Sequence, residues 1–81
     1  MDELENIFNT ELPELEKLTR SFGWLLDLYT RTYQNEIEIS KALGDADALV
    51  KEQVKLGIIN HARSMFGYCY LRSTGKKAWD E

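Results

Sequence analysis

The stretch Leu43-Gly44-Asp45-Ala46-Asp47 decides the fold, because it interrupts a chain that otherwise has helical periodicity almost throughout. Glycine readily adopts the left-handed conformation that ends a helix, and aspartate commonly caps the start of the next one. A loop this short places two helices side by side and antiparallel. The sequence therefore predicts an all-α fold built on an antiparallel two-helix hairpin in a single domain.

The first long helix is predicted over residues 11–43, with Thr10 as its N-cap. Pro13 falls in the first turn, where a missing amide proton leaves no helical hydrogen bond unmade. Apolar residues then recur every three or four positions, as expected of one packed helical face. They are Leu15, Leu18, Phe22, Leu25, Leu26, Tyr29, Tyr33, Ile37 and Leu43. Residues 1–10 are predicted to form an N-terminal arm with a short helical segment.

The second long helix is predicted over residues 46–74, followed by Gly75 and a tail of residues 75–81. Two apolar rows follow it, and we place them on neighbouring faces. The first row contains Val50, Val54, Gly57, Ile58, Ala62, Met65 and Cys69. The second row contains Leu56, Ile59, Phe66 and Tyr70. A helix that is apolar around much of its circumference is expected to be buried.

A hairpin gives this helix only one neighbour, so the sequence predicts that it also packs on other chains. The second row, Leu56, Ile59, Phe66 and Tyr70, is the predicted oligomer interface. At 81 residues the chain is near the lower limit for a domain that is stable alone. Such small domains usually need a disulfide, a metal or oligomerisation. We therefore expect a homo-oligomeric helical bundle.

Composition excludes a disulfide within the chain and argues against a structural metal. A disulfide within the chain is not formed, because Cys69 is the only cysteine. His61 and Cys69 are the only soft metal ligands, whereas a closed zinc site needs about four. We expect no metal and no cofactor.

The charge distribution is uneven although the net charge is only −4. Residues 1–47 contain eleven acidic and four basic residues, and residues 48–81 contain three acidic and six basic residues. The acidic start lacks the basic and apolar regions of a signal peptide. No apolar stretch approaches the ~20 residues that span a bilayer. A lone cysteine fits a reducing compartment, so we expect a cytoplasmic protein without membrane contact.

Three glycines, Gly23, Gly57 and Gly67, fall inside the predicted helices. Each lowers helix stability by up to ~1 kcal/mol relative to alanine. Three such positions favour close approach of a neighbouring helix or aromatic ring to the bare backbone.

No pattern in the chain indicates catalysis. His61 has no serine or cysteine nucleophile at a recognised spacing, and Cys69 is most often a small apolar residue in such a setting. A phosphate-binding loop and the Glu-x-x-His pair of di-iron bundles are both missing from the sequence. We therefore expect a protein that is not an enzyme.

The leading hypothesis is an interaction protein that docks a helical face on a larger protein partner, as a regulator, adaptor or inhibitor. In size and class the chain is similar to phage-encoded inhibitors of host proteins. Tyrosine, tryptophan and arginine dominate binding hot spots. The predicted partner-binding residues are Arg63, Phe66, Tyr68, Tyr70, Arg72 and Trp79.

Two alternatives involve anionic ligands. Residues Ala62, Ser64, Met65 and Phe66 resemble the last helix of phage proteins that sequester cyclic oligonucleotides. That resemblance implies an oligomer that binds a small anion, such as a cyclic nucleotide, between subunits. The other alternative is a Rop-like bundle that binds nucleic acid. The acidic balance of the chain argues against it, since such binding depends on neutralising phosphates.

Overall fold

The computed structural model describes residues 2–79, and within that range it contains three α-helices and no strand. They are α1 (Asp2–Phe8), α2 (Glu14–Leu43) and α3 (Ala46–Thr74). The long helices α2 and α3 pack together, and α1 packs on α2. The prediction of an all-α fold is confirmed, and assembly into a larger bundle stays a prediction.

Contacts between α2 and α3 occur in reversed order, which shows that the two helices run antiparallel. Phe22 stacks on Phe66, and farther along α2 the Asp27 carboxylate binds Arg63. Near the loop, the Lys55 amine lies 5.8 Å from the centre of the Tyr33 ring. The contacting residues thus ascend along α2 as they descend along α3.

The end of α2 and both ends of α3 follow the capping chemistry of the sequence. Gly44 has φ 68°, and its N–H donates to the Lys41 carbonyl at 3.2 Å. The Asp45 carboxylate accepts from the Ala48 N–H at 3.1 Å, which makes Asp45 the N-cap of α3. Gly75, with φ 75°, ends the helix. The predicted bounds of this helix are confirmed.

The start of α2 differs from the prediction of residue 11. The helix begins at Glu14, after Pro13 in an extended conformation with φ −54° and ψ 148°. Thr10 was wrongly predicted as its N-cap. The Thr10 hydroxyl instead donates to the Ile7 carbonyl at 2.8 Å. This hydrogen bond lies at the C-terminal end of α1. At the start of α2, the Pro13 carbonyl accepts the Lys17 N–H.

The hairpin is a thin slab of 47 × 30 × 16 Å. Its Cα radius of gyration is 15.4 Å, compared with about 12 Å for a compact chain of this length. A helix with its side chains is about 10–12 Å across, so almost every residue lies near a surface. The buried apolar residues among 2–79 are Leu26, 4% exposed, and Ile37, 9% exposed.

The two apolar rows of α3 lie on opposite faces, not on neighbouring ones. At about 100° per residue, the row of Leu56, Ile59, Phe66 and Tyr70 turns toward α2, and these residues are half-buried. The opposite face carries what we call the outer row. It contains Val50, Val54, Ile58, Met65 and Tyr68, which are between 54% and 64% exposed.

The orientation of the two rows determines which of them is free to form an interface with another chain. Phe66, one of its four residues, stacks on Phe22 of α2 with the ring centres 5.0 Å apart. The row predicted to contact other chains is therefore the row that faces α2. No residue of α3 is buried in the single chain, and the face open to a partner is the outer row.

Candidate functional site

The tail folds back onto the hairpin through Trp79. Its indole N–H donates to the Thr19 carbonyl of α2 at 3.0 Å. Its ring stacks on Phe66 with the centres 5.2 Å apart. The Arg63 guanidinium lies 5.8 Å from the centre of the indole ring. Trp79 is half-buried, so it anchors the tail against both long helices.

Gly23 provides the space for this indole. A Cβ atom added at Gly23 would lie 2.5 Å from the Trp79 Nε1 atom, which is closer than real Cβ atoms approach. The expected close approach is confirmed at this glycine, with Trp79 as the aromatic ring. At Gly57 and Gly67 an added Cβ atom would meet no described atom within 4 Å.

An aromatic cluster joins α2, α3 and the tail. Phe66 lies at its centre and contacts Phe22, Tyr70 and Trp79, with ring centres 5.0, 6.2 and 5.2 Å apart. Beside the cluster, the Arg63 Nη2 atom lies 2.8 Å from the Asp27 Oδ1 atom. Arg63 thus contacts both the Asp27 carboxylate of α2 and one face of the Trp79 indole.

Two clefts flank Trp79. The first, which we call the tail cleft, has a volume of about 310 Å³. It is lined by Arg63, Ser64, Gly67, Tyr68, Leu71, Lys77, Ala78 and Trp79. The second cleft, of about 480 Å³, lies toward α1. It is lined by Ile7, Arg20, Gly23, Trp24, Asp27, Arg63 and Trp79.

The structure separates the six predicted partner-binding residues. Arg63, Tyr68 and Trp79 line the tail cleft. Phe66 and Tyr70 belong to the aromatic cluster and support the cleft from within. Arg72 is exposed outside it.

Sequence reasoning missed other lining residues of the tail cleft, in particular Leu71 and Lys77. Leu71 sits outside both apolar rows, so periodicity gave no reason to select it. Lys77 follows the helix-ending Gly75, and its position depends on the return of the tail. The contacts of Trp79 with Gly23, Thr19 and Phe66 fix that return.

The segment of α3 and the tail that lines the tail cleft is basic. Between Gln53 and Trp79 the sequence contains no aspartate or glutamate and five lysines and arginines. Lys55 donates to the Glu52 carboxylate at 3.0 Å, and this hydrogen bond raises the pKa of Lys55. Arg63 pairs with Asp27. Within residues 2–79 the remaining three, Arg72, Lys76 and Lys77, form no ion pair.

The groups considered for catalysis lie apart from this cleft. His61 and Cys69 are both exposed on α3. Across the described part of the chain, no three histidine, cysteine, aspartate or glutamate residues cluster in a way that would hold a metal ion. None of the helices in residues 2–79 combines the length and apolarity that crossing a membrane requires.

Comparisons of the chain with protein-family models, with curated proteins and with solved structures found no match. Function is therefore inferred from the residues of this chain alone. Among the described residues, the tail cleft and the outer row of α3 are the two exposed features from which function is inferred below.

Proposed function

We propose that this chain is a small non-enzymatic interaction protein that binds an acidic, partly apolar segment of a larger protein at the tail cleft. The observation that carries the proposal is the lining of that cleft, which combines exposed apolar surface with cationic side chains. Binding of this kind serves a regulator, an adaptor or an inhibitor equally well.

The apolar part of the cleft suits a side chain inserted from a partner. Tyr68 and Leu71 line the cleft with much of their surface in water, and Trp79 lines it with them. Trp79 is already held by Thr19 and Phe66. A partner that contacts its ring therefore meets a surface that loses little conformational freedom on binding.

The basic part of the cleft selects the charge of the partner. Lys77 lines the cleft, and Arg72 and Lys76 lie near the same end of the molecule without ion-pair partners among residues 2–79. Positive charge around an apolar groove increases the association rate of acidic segments and disfavours basic ones. The predicted partner therefore offers aspartate or glutamate beside an apolar side chain.

Affinity capture from the native host tests this proposal, with wild type, Lys77→Glu and the matched control Lys41→Glu as bait. Lys41 is exposed at the far end of α2, so its reversal changes the net charge equally without altering the cleft. A photo-crosslinking side chain at Leu71 identifies the captured peptide. We expect an acidic peptide with wild type and Lys41→Glu, and its loss with Lys77→Glu. Equal capture by all three baits would contradict the proposal.

A second candidate function is sequestration of a small anionic ligand such as a cyclic nucleotide. The observation in its favour is that the Tyr68 and Trp79 rings share the tail cleft with Arg63 and Lys77. Rings of this kind stack on bases, and guanidinium groups bind phosphates. A ligand that binds only the native state raises the melting temperature. A nucleotide screen that raises it in wild type and not in Lys77→Glu would support this candidate, and no increase would contradict it.

A further inference from the structure

We infer that the outer row of α3 is covered by α3 of a second copy of this chain, packed antiparallel to the first. This interface lies on the face opposite α2; it shares Tyr68 with the lining of the tail cleft but does not depend on the function proposed for that cleft. Val50, Val54, Ile58, Met65 and Tyr68 form one continuous strip there, exposed in the single chain. From Asp47 to Arg72 the strip is about 38 Å long.

The order of side chains along this face is self-complementary in one antiparallel register. When the two-fold axis passes between Ile59 and Asn60, Val54 lies opposite Met65 of the second copy. Ile58 lies opposite His61 of the second copy in the same register. Val50 lies opposite Cys69, and Tyr68 lies opposite Lys51, whose aliphatic stem packs on the ring while its amine stays in water.

Two small residues, Gly57 and Ala62, flank the outer row near the centre of this register. Gly57 lies level with Ala62 of the second copy but on the other flank of the interface, and an added Cβ atom at Gly57 would meet nothing within 4 Å in the single chain. Small residues at a crossing let two helix backbones approach closely. A second copy of α3 therefore accounts for a helical glycine that the packing within the chain leaves unexplained.

The charged residues at the two ends of the strip favour an antiparallel direction for the two α3 helices. In this register Asp47 lies opposite Arg72 of the second copy, and the two-fold axis repeats the pair at the other end. Asp47 and Arg72 are both exposed, and within residues 2–79 neither forms an ion pair. A parallel arrangement would oppose Asp47 to Asp47 and Arg72 to Arg72, and it would align the two helix dipoles unfavourably.

A charge-reversal exchange followed by sedimentation equilibrium tests the inference. We expect wild type to sediment as a dimer at micromolar concentrations. Asp47→Arg and Arg72→Asp alone each convert both ion pairs into like-charge pairs. Each should raise the dimer dissociation constant about tenfold. An equimolar mixture of the two variants restores both pairs, so it should form a heterodimer with near wild-type affinity.

Ile58→Glu provides a second readout that leaves both ends of α3 unchanged. It should be monomeric with wild-type helical circular dichroism, and it should still capture the acidic partner. Lys77→Glu, in contrast, should lose the partner and dimerise normally, so failure of either proposal is distinguishable. A monomeric wild type, or a mixture of the two charge variants that does not associate, would overturn the inference.

Discussion

At the scale of single residues, Gly23 has the largest structural consequence. Its missing side chain admits the Trp79 indole, whose N–H reaches the Thr19 carbonyl. We expect Gly23→Ala to displace Trp79, because the new Cβ atom would lie 2.5 Å from Nε1. The loss of this packing should exceed the gain in helix propensity, so unfolding free energy should fall by about 1 kcal/mol or more.

Tryptophan fluorescence during urea unfolding measures this effect, in a Trp24→Phe background where Trp79 is the only indole. Gly67→Ala is the matched control, since its Cβ atom would meet open space. This control should stabilise the protein by up to ~1 kcal/mol. If Gly23→Ala were also stabilising, with an unshifted emission maximum, Trp79 would not occupy the site beside Gly23.

The sequence identifies Gly23 as unusual but does not identify its partner. Three helical glycines show the same local pattern, and only one of them has an aromatic ring against it. The distinguishing contact spans more than fifty residues, from Gly23 to Trp79. Local propensity and spacing contain no information on such a contact, because it depends on where the tail returns.

At the scale of elements, the Asp45 cap determines where α3 begins. The carboxylate accepts the Ala48 N–H at 3.1 Å. Asp45→Ala leaves that N–H without a side-chain acceptor and should lower the free energy of unfolding by about 1 kcal/mol. Thermal unfolding followed by circular dichroism measures this. An unchanged melting temperature would show that the loop satisfies the helix end without Asp45.

The two faces of α3 should respond differently to truncation. Phe66 lies at the centre of the aromatic cluster, so Phe66→Ala should lower unfolding free energy by about 2 kcal/mol or more. Ile58 lies in the outer row, so Ile58→Ala should change it by less than about 0.5 kcal/mol in dilute protein.

Protein concentration separates the two variants further. Association stabilises the folded chain by mass action, so the Ile58→Ala deficit should grow as concentration rises. Urea unfolding at several protein concentrations provides this comparison. Equal and concentration-independent effects of the two substitutions would contradict the assignment of opposite faces.

The helix ends that are set by neighbouring residues were predictable from the sequence, and those that depend on other contacts were not. The bounds of α3 follow from Asp45 and Gly75, which act within a few residues. The start of α2 was missed because Thr10 bonds to α1 instead. The face of α3 that contacts α2 was not predictable, since both rows have helical spacing. Contacts between distant residues, such as Phe22 with Phe66, determine that choice.

At the scale of the whole molecule, the chain is too thin to enclose a core. A slab 16 Å thick leaves both sides of its helices near water, and no residue of α3 is buried. The sequence shows the surplus of apolar surface but not its location. A second antiparallel copy would turn the slab into a four-helix layer with α3 in the middle.

The distance between two spin labels tests this arrangement most directly. With Cys69→Ser and a nitroxide on Ser73→Cys, double electron–electron resonance measures the separation of the labels in the assembled protein. An antiparallel pairing centred between Ile59 and Asn60 predicts about 40 Å. A separation below about 20 Å would indicate parallel helices, and absence of dipolar coupling in concentrated protein would show that the chain stands alone; either result would contradict the account.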